Sequence, residues 1–418
     1  MSAPQQRPRA PRQERAARAV PGLSSPRRPA TADSPAFDLT YVRVGRGNGP
    51  VVLQIPGGPG MAVPLPYRSF RRDAAAAGFD VLMVEHRGVG LSRRDRSGQD
   101  LPPGAITIGA VLEDLVAVLD AEGIEQVIVS GASYGSYLAA ALAVNHPDRL
   151  AGLVLDSTML SANDHHAVRS YARALLWAGS TPGTAHLAAK IRTLVERDGH
   201  DEVQLGQVIV PIYEFGGPAL LERYLDQLVV DRARSTTAML RRLLTREIRT
   251  VLPHLVEFDL VAQIAYGELQ FAPPPDGRIF DPAAGFIRAD APGYTGEPLD
   301  LPARLPAVTA PAVIIAGERD LRTPLSVGRE AADLLPDGVL LALPDHGHSA
   351  LDTRPGILRA ALRAVADGTH QALPARAAEL LATHRPAGSA RVLPLALRAL
   401  LTADLLRSPR GVRPRGLR

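Results

Sequence analysis

Apolar residues fall along this chain in short unbroken blocks separated by longer stretches with a helical repeat. Leu39–Val44, Val51–Ile55, Val81–Glu85, Val127–Ser130 and Leu153–Asp156 are such blocks. Runs of that length without polar alternation mark strands covered on both faces, as in a parallel sheet. Between them, apolar residues at positions 111, 112, 115, 118 and 119 predict a helix from Val111 to Leu119. The strand pattern resumes at Ala312–Ala316 and Val339–Leu343, with a helical stretch from about Pro324 to Leu335 in between. Residues 159 to 302 read differently: helical repeats lie around His166–Ala178, His186–Arg197, Ala219–Val229 and Thr236–Leu252, and no segment there reads convincingly as a strand. Strands and helices that alternate with one helical interruption predict an α/β chain, a doubly wound and mostly parallel sheet with an inserted helical cap. The expected boundaries are a disordered Arg/Pro-rich tail over 1–35, core over 36–158, cap over 159–302, core again over 303–370, and a C-terminal helical extension with a basic tail over 371–418. A Pro/Gly-rich loop from Phe271 to Pro306, longer than an ordinary connection, closes the cap.

The block Val127–Ser130 runs into Gly131-Ala132-Ser133-Tyr134-Gly135, and a helix with Leu138 and Leu142 on its apolar face follows until Asn145-His146-Pro147. In G-x-S-x-G between a strand and a helix, the chain turns so sharply that the serine is strained and its neighbours must be small. A serine hydroxyl is a weak nucleophile at neutral pH, so Ser133 requires a histidine base and a carboxylate to orient it. Gly317-Glu318-Arg319-Asp320 follows the strand at 312–316, and Asp345-His346-Gly347-His348-Ser349 follows the strand at 339–343. Asp320 and His348 are the favoured acid and base, in the chain order Ser, Asp, His. Asp156, ending an earlier strand, is the rival acid, and His346 is the rival base. Negative charge developing on a substrate carbonyl needs two backbone N–H donors. Gly58, in Pro56-Gly57-Gly58-Pro59-Gly60, and Tyr134, the residue after the serine, are the candidates.

Four motifs together resemble the prolyl aminopeptidase branch of the α/β-hydrolase superfamily, the serine peptidases that include proline iminopeptidases and tripeptidyl aminopeptidases. Residues 56 to 60 resemble that family's H-G-G-P-G. Glu85-His86-Arg87-Gly88-Val89-Gly90-Leu91-Ser92 resembles its D-x-R-G-x-G-x-S, residues 131 to 137 resemble its G-G-S-Y-G-S-x, and His348-Ser349 resembles its closing G-H-S. The motifs span residues 50 to 350 in the family's order. Pro56 stands where the family has histidine and Glu85 where it has aspartate. The resemblance implies the α/β-hydrolase fold and cap carboxylates that hold the free α-amino group of a peptide. Glu268, in Ile264-Ala265-Tyr266-Gly267-Glu268-Leu269-Gln270-Phe271, and Glu214, in Ile212-Tyr213-Glu214-Phe215-Gly216, are the candidates, each weighed against an ordinary helix-end or salt-bridged role. Tyr213, Phe215, Tyr266 and Phe271 are candidate walls of an apolar pocket, set against the commoner role of core aromatics.

Composition narrows the class. With no cysteine, disulfides and thiol chemistry are excluded, which suits a cytoplasmic protein. There is no apolar run of the roughly 18 residues that a membrane span requires, and the first tail lacks the apolar core of a secretory signal. Clusters of Asp, Glu and His are too sparse for a metal site, and no cofactor is called for. The net charge of +4 sits in the ends: residues 1 to 35 hold seven arginines against Glu14 and Asp33, net +5, and residues 406 to 418 hold five arginines and no acid, net +5. Subtracting both from +4 leaves −6 for the body, which argues against a folded nucleic-acid-binding face. Leucines at 393, 395, 397, 400, 401, 405 and 406 suggest a helix that packs on the body, on another subunit or at a membrane interface, docking on the body being favoured.

The function expected is a serine hydrolase working through an acyl-enzyme on a small peptide or ester, an aminopeptidase of the proline iminopeptidase type. The alternative is a carboxylesterase or other small-acyl hydrolase, because the same triad serves both. A non-catalytic hydrolase-like binding protein is the third reading. Substrate and oligomeric state are not legible.

Overall fold

The computed structural model describes residues 11–47, 49–233, 235–241 and 251–407. The seven expected apolar blocks form seven strands of one eight-stranded sheet, and the N-terminal segment adds the eighth. Its strands are β1 (Leu23–Ser24), β2 (Tyr41–Val44), β3 (Val51–Ile55), β4 (Asp80–Val84), β5 (Val127–Ala132), β6 (Leu150–Asp156), β7 (Ala312–Gly317) and β8 (Gly338–Leu343). They lie in the order β1-β2-β4-β3-β5-β6-β7-β8. β2 runs antiparallel to β4 and β1 antiparallel to β2, while β4-β3-β5-β6-β7-β8 are parallel.

The helices that matter below are α1 (Pro11–Arg18), α2 (Arg68–Ala76), α3 (Ile108–Ala121), α4 (Tyr134–Asn145), α5 (His165–Ala172), α6 (Ala185–Arg192), α7 (Glu202–Val229), α8 (Leu325–Leu334), α9 (Pro355–Ala366) and α10 (Gly388–Arg407). Successive strand residues point to opposite faces, so each strand feeds two cores. Leu53, Leu82, Val129, Leu153 and Ile314 pack with α3, α4 and α8 on one face. Val52, Val81, Ile128, Val154 and Val313 pack with α2 and α9 on the other. Each fully buried Val, Leu or Ile contributes about 1.5–3 kcal/mol. Continuous apolar runs, rather than alternation, are what this double coverage requires.

Helices α5, α6 and α7 build a third core from Ala172, Leu187, Ile191, Ile209, Ile212 and Tyr224. α7 is two helices joined at Gly217 (φ 75, ψ 179), followed by Pro218. Residues 242–250 of the expected Thr236–Leu252 helix lie outside the described residues. The 271–306 loop is tied down: Arg169, buried, bonds Asp281 at 3.0 and 2.8 Å and the Pro274 carbonyl at 2.8 Å. The Leu-rich segment is α10, whose Leu397 and Leu401 enter the third core. Its Asp404 accepts from the Thr236 backbone N–H at 3.0 Å.

The structure corrects one expectation outright. Residues 11 to 35 are not a disordered tail: α1 buries Ala17, Val20 joins the core on one face, and β1 extends the sheet by pairing with β2. Arg28 pairs with Asp114 at 2.8 Å, the carboxylate that Arg87 also grips at 2.7 Å. The few apolar residues of this segment cannot form a core themselves, but they complete one that the sheet edge supplies. Deleting residues 1–30 is therefore expected to lower the Tm by about 4 °C or more in a thermal melt. An unchanged Tm would mean that these contacts add nothing.

Candidate active site

The end of β5 and the start of α4 leave Ser133 on a one-residue turn at φ 53, ψ −124. A non-glycine residue there is strained, which requires the surroundings to over-determine it. They do so by close approach: a Cβ on Gly131 would lie 2.0 Å from the Gly135 carbonyl oxygen, and one on Gly135 would lie 2.4 Å from the Ile55 carbonyl oxygen. The loop after β3 crosses the serine so closely that a Cβ on Gly57 would come within 3.2 Å of the Ser133 Cβ. Gly58, with φ 124, is the next residue, and Tyr134 opens the helix. Both expected N–H donors thus come from segments flanking the serine.

Asp320 lies beyond β7 with its side chain wholly buried. It accepts from the backbone N–H groups of Arg322 and Thr323, both at 2.9 Å, from the Thr323 hydroxyl at 2.8 Å, and from His348 Nδ1 at 2.9 Å. Burial alone would raise its pKa, but the His348 charge and these donors outweigh burial and hold it at about 2. A carboxylate can only accept, so Nδ1 carries the proton and Nε2 keeps a lone pair. For His348, burial disfavours the charged ring, yet Asp320 overcomes it and raises the pKa above the ordinary 6.5. His346 is buried apart from this pair; burial and the nearby Arg354 hold its pKa down to about 4. The structure therefore brings His348, not His346, to Asp320.

The rival carboxylate has another task. Asp156, at the end of β6, accepts from the backbone N–H groups of Ala350 at 2.9 Å and Leu351 at 2.8 Å. Its own carbonyl receives the Ser133 N–H at 2.8 Å, and the Ser157 hydroxyl receives the Ser349 N–H at 2.8 Å. Asp156 thus clamps the serine turn and the histidine loop to one strand end without touching a histidine ring. Its strand-end position was the only signal in the sequence, and Ser157 gave none.

Glu85, in the family's aspartate position, is fully buried and spans two loops, accepting from Val63 N at 3.2 Å and Leu91 N at 2.7 Å. Burial pushes its pKa up to about 8. Arg71, also buried, donates to the Val63 carbonyl at 2.8 Å and the Pro64 carbonyl at 2.6 Å. These two residues, neither singled out as part of the site, fix the backbone that follows the Gly57–Gly58 loop.

The two cap carboxylates differ. Glu214, on α7, has a fully buried side chain that accepts from Leu321 N and Arg322 Nε, each at 3.1 Å. Each of its oxygens is thus already engaged by the loop after Asp320. Glu268 accepts from Ile108 N at 2.7 Å through one oxygen and lies within electrostatic reach of Tyr134 and Tyr137 on α4. Burial raises its pKa. Tyr213 and Tyr266 are buried in their own clusters and serve as core aromatics.

Residues 50–185 match the family model of the alpha/beta hydrolase fold. The chain has the α/β-hydrolase fold. The parallel strands β7 and β8 carry the same sheet beyond the matched residues. A Neisseria gonorrhoeae proline iminopeptidase is 25% identical over 80% of this chain and 93% of its own. A Caulobacter segnis protein named as a carbamate hydrolase, RutD, is 41% identical over 18% of this chain and 26% of its own. The chain spans 26% to 40% of the length of such carbamate hydrolase relatives. Among solved structures, proline iminopeptidase from Mycobacterium smegmatis is 22% identical with a TM-score of 0.48, over 83% of this chain and 98% of that one. Within the α/β-hydrolase sheet, the serine turn, the Asp320 loop and the His348 loop all leave the C-terminal ends of parallel strands, where this class of sheet presents its ligands.

Two outcomes follow. If His348 must be neutral to act, kcat/KM falls as pH drops through its pKa, and because Asp320 raises that pKa the fall begins above pH 6.5. A plateau extending well below pH 6 would contradict this. Asp320→Asn should lower kcat by about 10⁴-fold by upsetting the tautomer, whereas Asp156→Asn should act mainly on stability, costing about 1–3 kcal/mol for a buried N–H left unpaired. An Asp320→Asn enzyme within tenfold of wild type would return the acid role to Asp156.

Proposed function

We propose that this protein is a serine hydrolase that works through an acyl-enzyme, and that its substrates are peptides with a free N-terminus, in the manner of a proline iminopeptidase. The observation that carries the hydrolase reading is the Asp320–His348 hydrogen bond at 2.9 Å, which leaves Nε2 as the proton acceptor in a fold whose strained Ser133 is the natural donor. Ser133 Oγ attacks the carbonyl as its proton passes to His348 Nε2. Charge on the carbonyl oxygen is met by the N–H groups of Gly58 and Tyr134. His348 returns the proton to the leaving amine, then draws one from the water that releases the acyl group.

The aminopeptidase reading rests on Glu268 and on the similarity to the Neisseria proline iminopeptidase along most of the chain. Of the two cap carboxylates only Glu268 keeps an oxygen with no protein partner among the described residues. A half-buried carboxylate with a raised pKa is stabilised by an incoming ammonium, so amine binding and ionisation of Glu268 reinforce each other.

If Glu268 meets the α-ammonium, Glu268→Gln should reduce kcat/KM for prolyl or alanyl arylamide by roughly 30- to 1000-fold, about 2–4 kcal/mol of transition-state binding. Hydrolysis of a neutral acyl ester should be spared. N-acetylation of the arylamide should cost the wild type a similar factor and the variant little more. Equal turnover of free and acetylated substrates by the wild type would overturn the amine anchor in favour of an esterase.

A further inference from the structure

Glu214 belongs to the cap helix α7, yet among the described residues its carboxylate bonds the loop that carries Asp320. Oε1 accepts from Leu321 N and Oε2 from Arg322 Nε, the two residues directly after Asp320. The same turn of α7 is pressed against the histidine loop: a Cβ on Gly347 would lie 2.7 Å from the Glu214 carbonyl oxygen. Just beyond, at the break in α7, a Cβ on Gly217 would lie 2.2 Å from an Arg319 guanidinium nitrogen. One turn of the cap therefore contacts residues on both sides of Asp320 and the glycine before His348. Leu321 N is buried, so without Glu214 it would lose its acceptor.

We propose that Glu214 is a positioning residue for the acid–base pair: it seats the cap on the 319–323 loop and thereby fixes the angle at which Asp320 meets His348. The proposal rests on the reading of Asp320 and His348 as acid and base. The carboxylate also adds negative charge near the ring. The charged groups facing Glu214 are Arg322, Asp320 and His348, and those facing His348 are Asp320, Arg322, Glu214, Asp156, Asp352 and His346. Among them Glu214 acts to raise the His348 pKa.

The test compares Glu214→Gln and Glu214→Ala in the full chain by two readouts: the pH titration of the ¹⁵N-labelled His348 ring, and kcat and KM on alanyl arylamide. The proposal expects the His348 pKa to fall in both variants, because the charge is lost in both. It expects kcat to fall about 10- to 100-fold in Glu214→Ala with KM within twofold, and less in Glu214→Gln, whose amide oxygen still accepts from Leu321 N. Wild-type titration and kcat in both variants would overturn it. So would a rise in KM with kcat unchanged, which would place Glu214 on the substrate. If Glu214→Ala does not fold, the titration of Glu214→Gln decides. A wild type that turns over no substrate would defeat the hydrolase reading, while the ring titration would still report on Glu214.

Discussion

The site depends on the last residues of β6. Asp156 gives its carbonyl to Ser133 N and its carboxylate to Ala350 N and Leu351 N, and Ser157 adds a hydroxyl to Ser349 N. Ser157 N is in turn held by the Ile315 carbonyl of β7. Two loops that differ by more than 200 positions in sequence are thus bound to one strand end. Burying a carboxylate is costly, and burial raises the Asp156 pKa to about 7. The two N–H donors offset that cost, and what the fold gains is geometry: a strained serine turn persists only if something opposes its relaxation.

The same device recurs at two further irregular segments. Glu85 spans the segment after the Gly57–Gly58 loop and the turn at Leu91, with Gly90 so close that a Cβ would lie 2.4 Å from its carboxylate. Arg71 holds two carbonyls of that first segment. Glu214 grips the loop after Asp320. Each is an ionisable group in the interior whose hydrogen bonds replace the strand ladder that a loop lacks. Apolar packing sets the sheet and its helices, and buried polar groups set the loops that carry the chemistry.

That division explains what could be read from the chain. Strands β3, β5 and β7 follow from runs such as Val51–Ile55, Val127–Ser130 and Ala312–Ala316, because double burial leaves a local signature. The serine turn is equally local, since sterics force Gly131 and Gly135. The choice between His346 and His348, and between Asp156 and Asp320, is not local: all four occupy loops or strand ends of similar composition, and only the fold decides which side chain faces which. The hydrogen bonds of Glu214 are equally non-local, because a carboxylate among aromatics looks the same whether it faces a cleft or a backbone N–H. The N-terminal segment misled for a related reason, since Ala17, Val20 and Leu23 are too few to form a core and enough to finish one.

The central claim is that Ser133 is activated by the Asp320–His348 pair. Reaction of the native protein with a fluorophosphonate, followed by peptide mass spectrometry, tests it most directly. The account predicts a single stoichiometric adduct on Ser133, slowed by at least about a hundredfold in His348→Ala and absent from protein unfolded in denaturant. A folded protein that takes no label, or one labelled at Ser133 as fast without His348 as with it, would contradict the account.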